Sequence, residues 1–124
     1  MIKTLLLVGL GGGIGSVLRY LISVLVNKYN VSLFPWATLV VNLLGCLIIG
    51  VILGLFEKQI LVNTSFKHLF IVGFCGGFTT FSAFATENFN LLQSGNTLMT
   101  LTYVLASVVG GLLALWVGWM MVKL

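Results

Sequence analysis

Polar side chains recur at helical spacing inside long apolar runs of this chain, and these are the groups that could do chemistry. Thr38 and Asn42 are four residues apart, as are Tyr103 and Ser107, so each pair shares one face of a helix. Polar groups in apolar spans are costly and commonly mark substrate or ion paths. An interhelical hydrogen bond of the Asn42 amide is the alternative. Two tracks of hydroxyl and amide groups on separate helices are nevertheless what a path lined by hydrogen-bond donors would need.

Two phenylalanines add a second kind of group. Phe81 and Phe84 are three residues apart and share a helical face, with Ser82 beside them. Such rings usually contact lipid or pack against other helices. An aromatic ring is also negative on its face and positive at its edge, so ring edges could solvate a small anion together with amide and hydroxyl donors.

Charged side chains are few, and their positions restrict the chemistry. Glu57 and Glu87 are the only carboxylates, the first expected in a loop and the second near a solvated helix end or in a vestibule. A cation path or proton-coupled transporter usually places Asp or Glu in mid-membrane. The first apolar run has none and contains Arg19 instead. This arginine either snorkels toward the Lys28 side or faces an aqueous vestibule as a fixed positive charge.

The elements that must position these groups are membrane-spanning helices. The chain has 124 residues, of which 60% are hydrophobic and 6% charged, whereas a soluble domain carries roughly a quarter charged residues. Each apolar run is near the ~20 residues that a spanning helix needs. The predicted fold is an all-α membrane protein forming one domain, residues 1–124, with spans at about residues 4–26, 36–56, 67–93 and 97–122. No nucleophile–base pair, metal cluster or cofactor motif indicates an enzyme, and no basic cluster indicates nucleic-acid binding.

The third span contains an unusual stretch, residues 73–84, which reads GFCGGFTTFSAF. Glycine pairs and hydroxyl residues hold a lipid-facing helix poorly. Irregular backbone at membrane depth is tolerated only where protein or an aqueous cavity surrounds it. We therefore expect irregular backbone within this stretch at mid-membrane, and the stretch to be the working part of the molecule. Four G-x-x-x-G pairs, at Gly9/Gly13, Gly11/Gly15, Gly50/Gly54 and Gly73/Gly77, indicate close helix packing.

Positive charges divide unevenly between the two ends of the four-helix chain, with Lys3, Lys58, Lys67 and Lys123 at one end and Lys28 and Arg19 toward the other. The positive-inside rule favours a cytoplasmic amino terminus, but the bias is modest. A small chain with so weak a bias could insert in both orientations. Dual topology would permit an antiparallel dimer.

Three segments resemble the signatures of one family. Residues 12–20 (GGIGSVLRY), 38–45 (TLVVNLLG) and 73–84 look like those of the Fluc (CrcB) fluoride channels, and length, helix count and motif order agree. The resemblance implies an antiparallel, dual-topology homodimer in the cell membrane. Two pores would pass fluoride out of the cytoplasm passively and protect against its toxicity. Some members pair two unlike chains, so a heterodimer with a paralogue stays open.

The resemblance also implies roles for individual residues. Phe81 and Phe84 would line the pore and Asn42 would face the ion path. The polar-track candidates are Thr38, Thr80, Ser82, Tyr103 and Ser107. Arg19 would anchor the fold. The third helix would break at mid-membrane between Gly76 and Thr79. Backbone carbonyls of these two residues would hold a structural Na⁺ at the dimer centre, since hard oxygen ligands suit an alkali cation. Ala83 and Gly111 stand where other members often carry a hydroxyl, so the polar track is expected to be shorter here.

Two other functions compete with this one. A small four-helix multidrug/proton antiporter shares the size, dual topology and dimerisation, but it needs a carboxylate in the first helix, where this chain has Arg19. A non-transporting assembly subunit would explain the glycine faces and would leave Asn42 and the hydroxyl donors without a purpose.

Overall fold

The computed structural model describes all 124 residues, and every regular element in it is helical. Helix α1 covers Ile2–Tyr29 and α2 covers Trp36–Glu57. Helix α3 covers residues 64–78, with an α-helical turn at Thr64–Phe66, a π-helical stretch at Lys67–Cys75 and a second α turn at Gly76–Phe78. Helix α4 covers Phe81–Gln93 and α5 covers Thr97–Lys123.

Four helical segments are long and apolar enough to cross a membrane, and they correspond to the four predicted spans. They are Ile2–Tyr29, Trp36–Glu57, Thr64–Gln93 and Thr97–Lys123, so the helices run up to three residues beyond the predicted limits. Glu57 ends α2 rather than lying in the following loop. Large apolar side chains such as Leu6, Leu105 and Leu112 are exposed on the outside. The chain is an integral multi-pass membrane protein.

Glycines bring two pairs of helices into backbone contact. A Cβ at Gly11 or Gly15 of α1 would overlap the main chain of α3, and one at Gly77 would overlap the main chain at Gly12. Gly50 of α2 and Gly118 of α5 approach the facing main chain in the same way. Because lipid gives helices little hydrophobic reason to associate, close approach of this kind is how they gain packing energy.

The predicted packing role of the glycine pairs is therefore confirmed for three of the four. Gly11/Gly15 and Gly73/Gly77 join α1 to α3, and Gly50/Gly54 joins α2 to α5. Gly9 and Gly13 differ, because a Cβ at either would meet nothing within 4 Å. These two glycines lie on a face of α1 that the chain leaves open.

The third span is interrupted at Thr79 and Thr80. Thr79 (φ −84°, ψ 156°) and Thr80 (φ −147°, ψ 118°) are extended, whereas Gly76 (φ −62°, ψ −38°) is still helical. The change of backbone direction thus comes later than the predicted position between Gly76 and Thr79. Glycine tolerates a break without causing one. The Thr80 hydroxyl stabilises it by accepting from the Ala83 N–H in place of a helical hydrogen bond.

Candidate functional site

Asn42 of α2 holds the interruption through two hydrogen bonds to one residue. Its Nδ2 donates to the Thr80 carbonyl oxygen at 3.1 Å, and its Oδ1 accepts from the Thr80 N–H at 2.8 Å. Buried main-chain groups must be paired, and here a side-chain amide replaces the neighbouring turn of a helix. The interhelical hydrogen bond considered for Asn42 is confirmed, with main-chain atoms as its partners. We call this pair of bonds the Asn42 clamp.

Side chains at the interruption then start α4 and end α3. The Thr80 hydroxyl accepts from the Ala83 N–H at 3.1 Å, as an N-cap does, and the Thr79 hydroxyl donates to the Cys75 carbonyl at 2.7 Å. Gly45 of α2 lies directly against the Thr79 methyl group, so a Cβ at that position would overlap it. The conformation of Thr79 and Thr80 is therefore fixed by contacts from α2 as well as by their own hydroxyl groups.

Several carbonyls, including those of Gly76 and Thr79, lose their regular helical donors as a result. In a continuous helix the Thr80 N–H would donate to the Gly76 carbonyl and the Ala83 N–H to the Thr79 carbonyl. These N–H groups bind the Asn42 and Thr80 side chains instead. Hard cations prefer oxygen ligands of this kind. Gly76 and Thr79 thus have the chemistry that a backbone-held Na⁺ requires.

A groove of about 320 Å³ runs beside the interruption between α2, α4 and α5. It brings together Asn42, Thr80, Phe81, Phe84 and Ser107, five of the residues singled out from the sequence. Thr79, Cys46, Ile49, Val108 and Gly111 complete its lining. None of the ten lining residues is charged. The groove can therefore offer a small ion only aromatic edges, an amide and hydroxyl groups.

Ser107 is a polar residue of this groove whose side chain makes no hydrogen bond. Its Oγ is buried and has no hydrogen-bond partner in the protein. A buried hydroxyl without a partner is unusual in a native structure, and it suits a ligand or water that arrives from the groove. Gly111, one turn further along α5, adds no side chain to the same wall, as its residue type implied.

The aromatic rings form a connected series along the groove and beyond it. Phe81 and Phe84 have ring centroids 5.7 Å apart, and Phe84 lies 5.1 Å from Tyr103. Tyr103 is fully buried and meets Phe34 edge-on at 5.5 Å. Phe81 behaves differently, since 78% of it is exposed in the single chain. One end of the series therefore lies on the protein surface.

Thr38 and Tyr103 meet at Glu87, a connection that the sequence did not indicate. The Thr38 hydroxyl donates to Glu87 Oε2 at 2.8 Å and the Tyr103 hydroxyl donates to Glu87 Oε1 at 2.9 Å. Glu87 lies in the middle of α4 and is half-buried, not at a solvated helix end. The available signal was its spacing of three residues from Phe84, which places it on the same side of α4.

The other predicted residues lie around this centre. Arg19 does not line the groove: its Nε donates to the Gly77 carbonyl at 3.0 Å and so ties α1 to the end of α3. Ser82 is exposed and its hydroxyl lies 3.3 Å from that of Thr80. Gly76 is exposed and does not line the groove.

Comparison with known proteins agrees with these features. The family model described as "CrcB-like protein, Camphor Resistance (CrcB)" matches residues 6–119. A protein of Flavobacterium psychrophilum is 50% identical over 121 residues, which cover 98% of both chains. One of Azobacteroides pseudotrichonymphae is 46% identical over 123 residues, covering 99% of this chain and 98% of the relative. One of Phocaeicola vulgatus is 46% identical over 119 residues, which cover 95% of this chain and 98% of the relative.

All three relatives carry the name fluoride-specific ion channel FluC, which denotes a channel and not a class of enzyme. The matches extend over nearly the whole chain and include the groove, the interruption and the glycine contacts. The chain belongs to the CrcB family.

Proposed function

We propose that this protein is a fluoride-selective channel that lets F⁻ leave the cytoplasm passively. The observation that carries the proposal is the uncharged groove, where the Ser107 hydroxyl has no partner and lies with Phe81, Phe84 and Asn42. Donors and ring edges can replace part of the hydration shell of a small anion, while a ring edge repels cations. The names of the relatives support the same ion.

Export needs no coupling group in this proposal. A negative charge gains about 2.3 kcal/mol per 100 mV when it moves down the membrane potential. The protein would act in the cell membrane, where this potential drives F⁻ outward. The interruption at Thr79 and Thr80 would lie at mid-membrane, since it falls near the centre of the third span.

The active unit would be an antiparallel homodimer with dual topology and two pores. Phe81 supports this arrangement because most of its surface is exposed at the edge of the groove, and a second copy would cover it. The open face of α1 around Gly9 and Gly13 offers a close-packing surface for another helix. A heterodimer with a paralogue would use the same surfaces.

A structural Na⁺ would occupy the centre of this dimer and would not be transported. The Gly76 and Thr79 carbonyls, which lack their regular helical donors, would hold it together with those of the second copy. The cation would fix the two interruptions against each other and supply a positive charge near the anion path.

The multidrug/proton antiporter remains the alternative, and the structure offers it little support. Such a protein needs a carboxylate in the first helix. Here the charged residue of α1 is Arg19, which is bonded to the Gly77 carbonyl. A resistance assay against quaternary ammonium compounds distinguishes the two functions.

Fluoride efflux from proteoliposomes, followed with a fluoride electrode, tests the proposal directly. We expect rapid F⁻ efflux, little Cl⁻ efflux, and loss of F⁻ efflux in Phe81→Ile. Parallel measurements with and without Na⁺ test the cation site. Cl⁻ flux comparable to F⁻ flux would contradict the proposal, and absence of any ion flux would favour the assembly subunit.

A further inference from the structure

The two carboxylates of the chain have different partners. Glu57 forms the one ion pair of the structure, with Lys123 Nζ at 2.7 Å, and it also accepts from Trp119 Nε1 at 2.6 Å. Glu87 accepts only from the Thr38 and Tyr103 hydroxyls. Both of these donors are neutral, so Glu87 is a half-buried carboxylate without a positive partner.

Glu87 also lines a cavity, which is separate from the groove. The cavity measures about 300 Å³ and lies between the end of α1, the loop that precedes α2 and the end of α4. No residue lines both spaces. Around Glu87 the cavity is lined by residues with amide or hydroxyl oxygens, namely Asn27, Ser32, Asn90, Ser94 and Asn96. One carboxylate surrounded by neutral oxygen donors is an arrangement that hard cations select.

Two basic residues of α1 have other partners. Lys28, in the last turn of α1, lies over the Tyr29 ring with its Nζ 5.5 Å from the ring centre. Arg19 is bonded to the Gly77 carbonyl. A carboxylate that is partly removed from water is stabilised by a positive partner, and no side chain forms an ion pair with Glu87.

We propose that this cavity is a cation-binding site in which Glu87 is the anchoring ligand and the amide and hydroxyl oxygens complete the shell. The ligand would be a hydrated hard cation of the alkali or alkaline-earth class. Because one carboxylate is the only charged ligand, the expected affinity for a divalent ion is weak, with a dissociation constant on the order of 10⁻⁴–10⁻³ M. The site differs from the one at Gly76 and Thr79, and it does not depend on which ion the protein transports.

Terbium luminescence of the purified full-length protein tests the site. Tb³⁺ is a hard cation that occupies oxygen-ligand sites, and Tyr103, bonded to Glu87, would be an adjacent sensitiser. In a non-ionic detergent and without fluoride, we expect saturable sensitised emission that is lost in Glu87→Gln. The matched control is Glu57→Gln, which removes the only other carboxylate and should leave the emission unchanged. Displacement of Tb³⁺ by Ca²⁺ and by Na⁺, in separate titrations, then identifies the class of cation.

Two further variants separate a binding effect from a folding effect. Glu87→Asp keeps the carboxylate, so emission should persist with weaker affinity. Asn90→Ala removes an exposed amide that lines the cavity, and it should also weaken Tb³⁺ binding. Emission that is equal in wild type and Glu87→Gln would overturn the proposal, as would emission lost in Glu57→Gln instead. Absence of saturable emission from the wild-type protein would overturn it too.

Discussion

The Asn42 clamp can be tested by hydrogen exchange of the Thr80 amide, which it binds. Asn42→Ala removes both hydrogen bonds to Thr80, whereas Asn42→Asp keeps an oxygen for the Thr80 N–H and loses the donor to the Thr80 carbonyl. A hydrogen bond contributes about 0.5–1.5 kcal/mol net. Loss of the bond to the N–H should therefore speed hydrogen exchange of the Thr80 amide roughly two- to tenfold, because exchange follows the free energy of local opening.

Amide exchange, measured by mass spectrometry with fragmentation or by NMR, distinguishes the two variants. We expect protection of the Thr80 amide to fall in Asn42→Ala and to persist in Asn42→Asp. The Thr79 amide is the internal control, because it donates to the Cys75 carbonyl at 2.9 Å and should stay protected in both. Fluoride efflux should fall in both variants. In Asn42→Asp the reason would be that a carboxylate then faces the groove and the Thr80 carbonyl.

The clamp is refuted if Thr80 exchanges equally in wild type and Asn42→Ala. That result would mean that the Thr80 hydroxyl and the contact with Gly45 hold the interruption without Asn42. Normal efflux in Asn42→Ala together with faster exchange would instead separate the clamp from ion conduction.

Three other perturbations have defined outcomes. Ser107→Ala removes a hydroxyl that has no protein partner, so the free energy of unfolding should change by less than about 0.5 kcal/mol, while fluoride efflux falls. Gly15→Ala would force a methyl group against the Phe74 carbonyl and should lower the free energy of unfolding by about 1–3 kcal/mol, whereas Gly13→Ala, with open space around it, should not. Phe81→Ile keeps an apolar surface but loses the ring edge, so efflux should fall while unfolding in detergent stays unchanged.

The helices were predictable because lipid imposes a simple rule on sequence. A spanning segment must be apolar over about 20 residues, and four such runs stand out in this chain. Glycine spacing added the contact faces, although it could not tell that Gly9 and Gly13 lie outside the packed pairs. That distinction depends on the rotation of α1 relative to α3, which no local pattern encodes.

The site was predictable in part. Asn42, Phe81 and Ser107 do line one groove, as their resemblance to a family pattern suggested. The sequence predicts the interruption at the glycines because glycine is permissive, yet the residues with extended backbone are Thr79 and Thr80, and the side chains that replace helical hydrogen bonds are those of Asn42 and Thr80. Glu87 was missed for a different reason. Its partners come from α2 and α5, so the contact exists only after three helices have packed.

The Asn42 clamp has a consequence for how this protein tolerates mutation. The amide binds main-chain atoms, which every residue type except proline presents, so the clamp itself does not depend on the identity of the side chain at position 80. Substitution of Thr80 by serine would keep both the clamp and the N-cap hydroxyl. Replacement of Thr80 by alanine would keep the clamp but remove the N-cap, so it should cost about 0.5–2 kcal/mol of folding stability. The clamp thus tolerates changes of side chain at position 80 that the start of α4 does not.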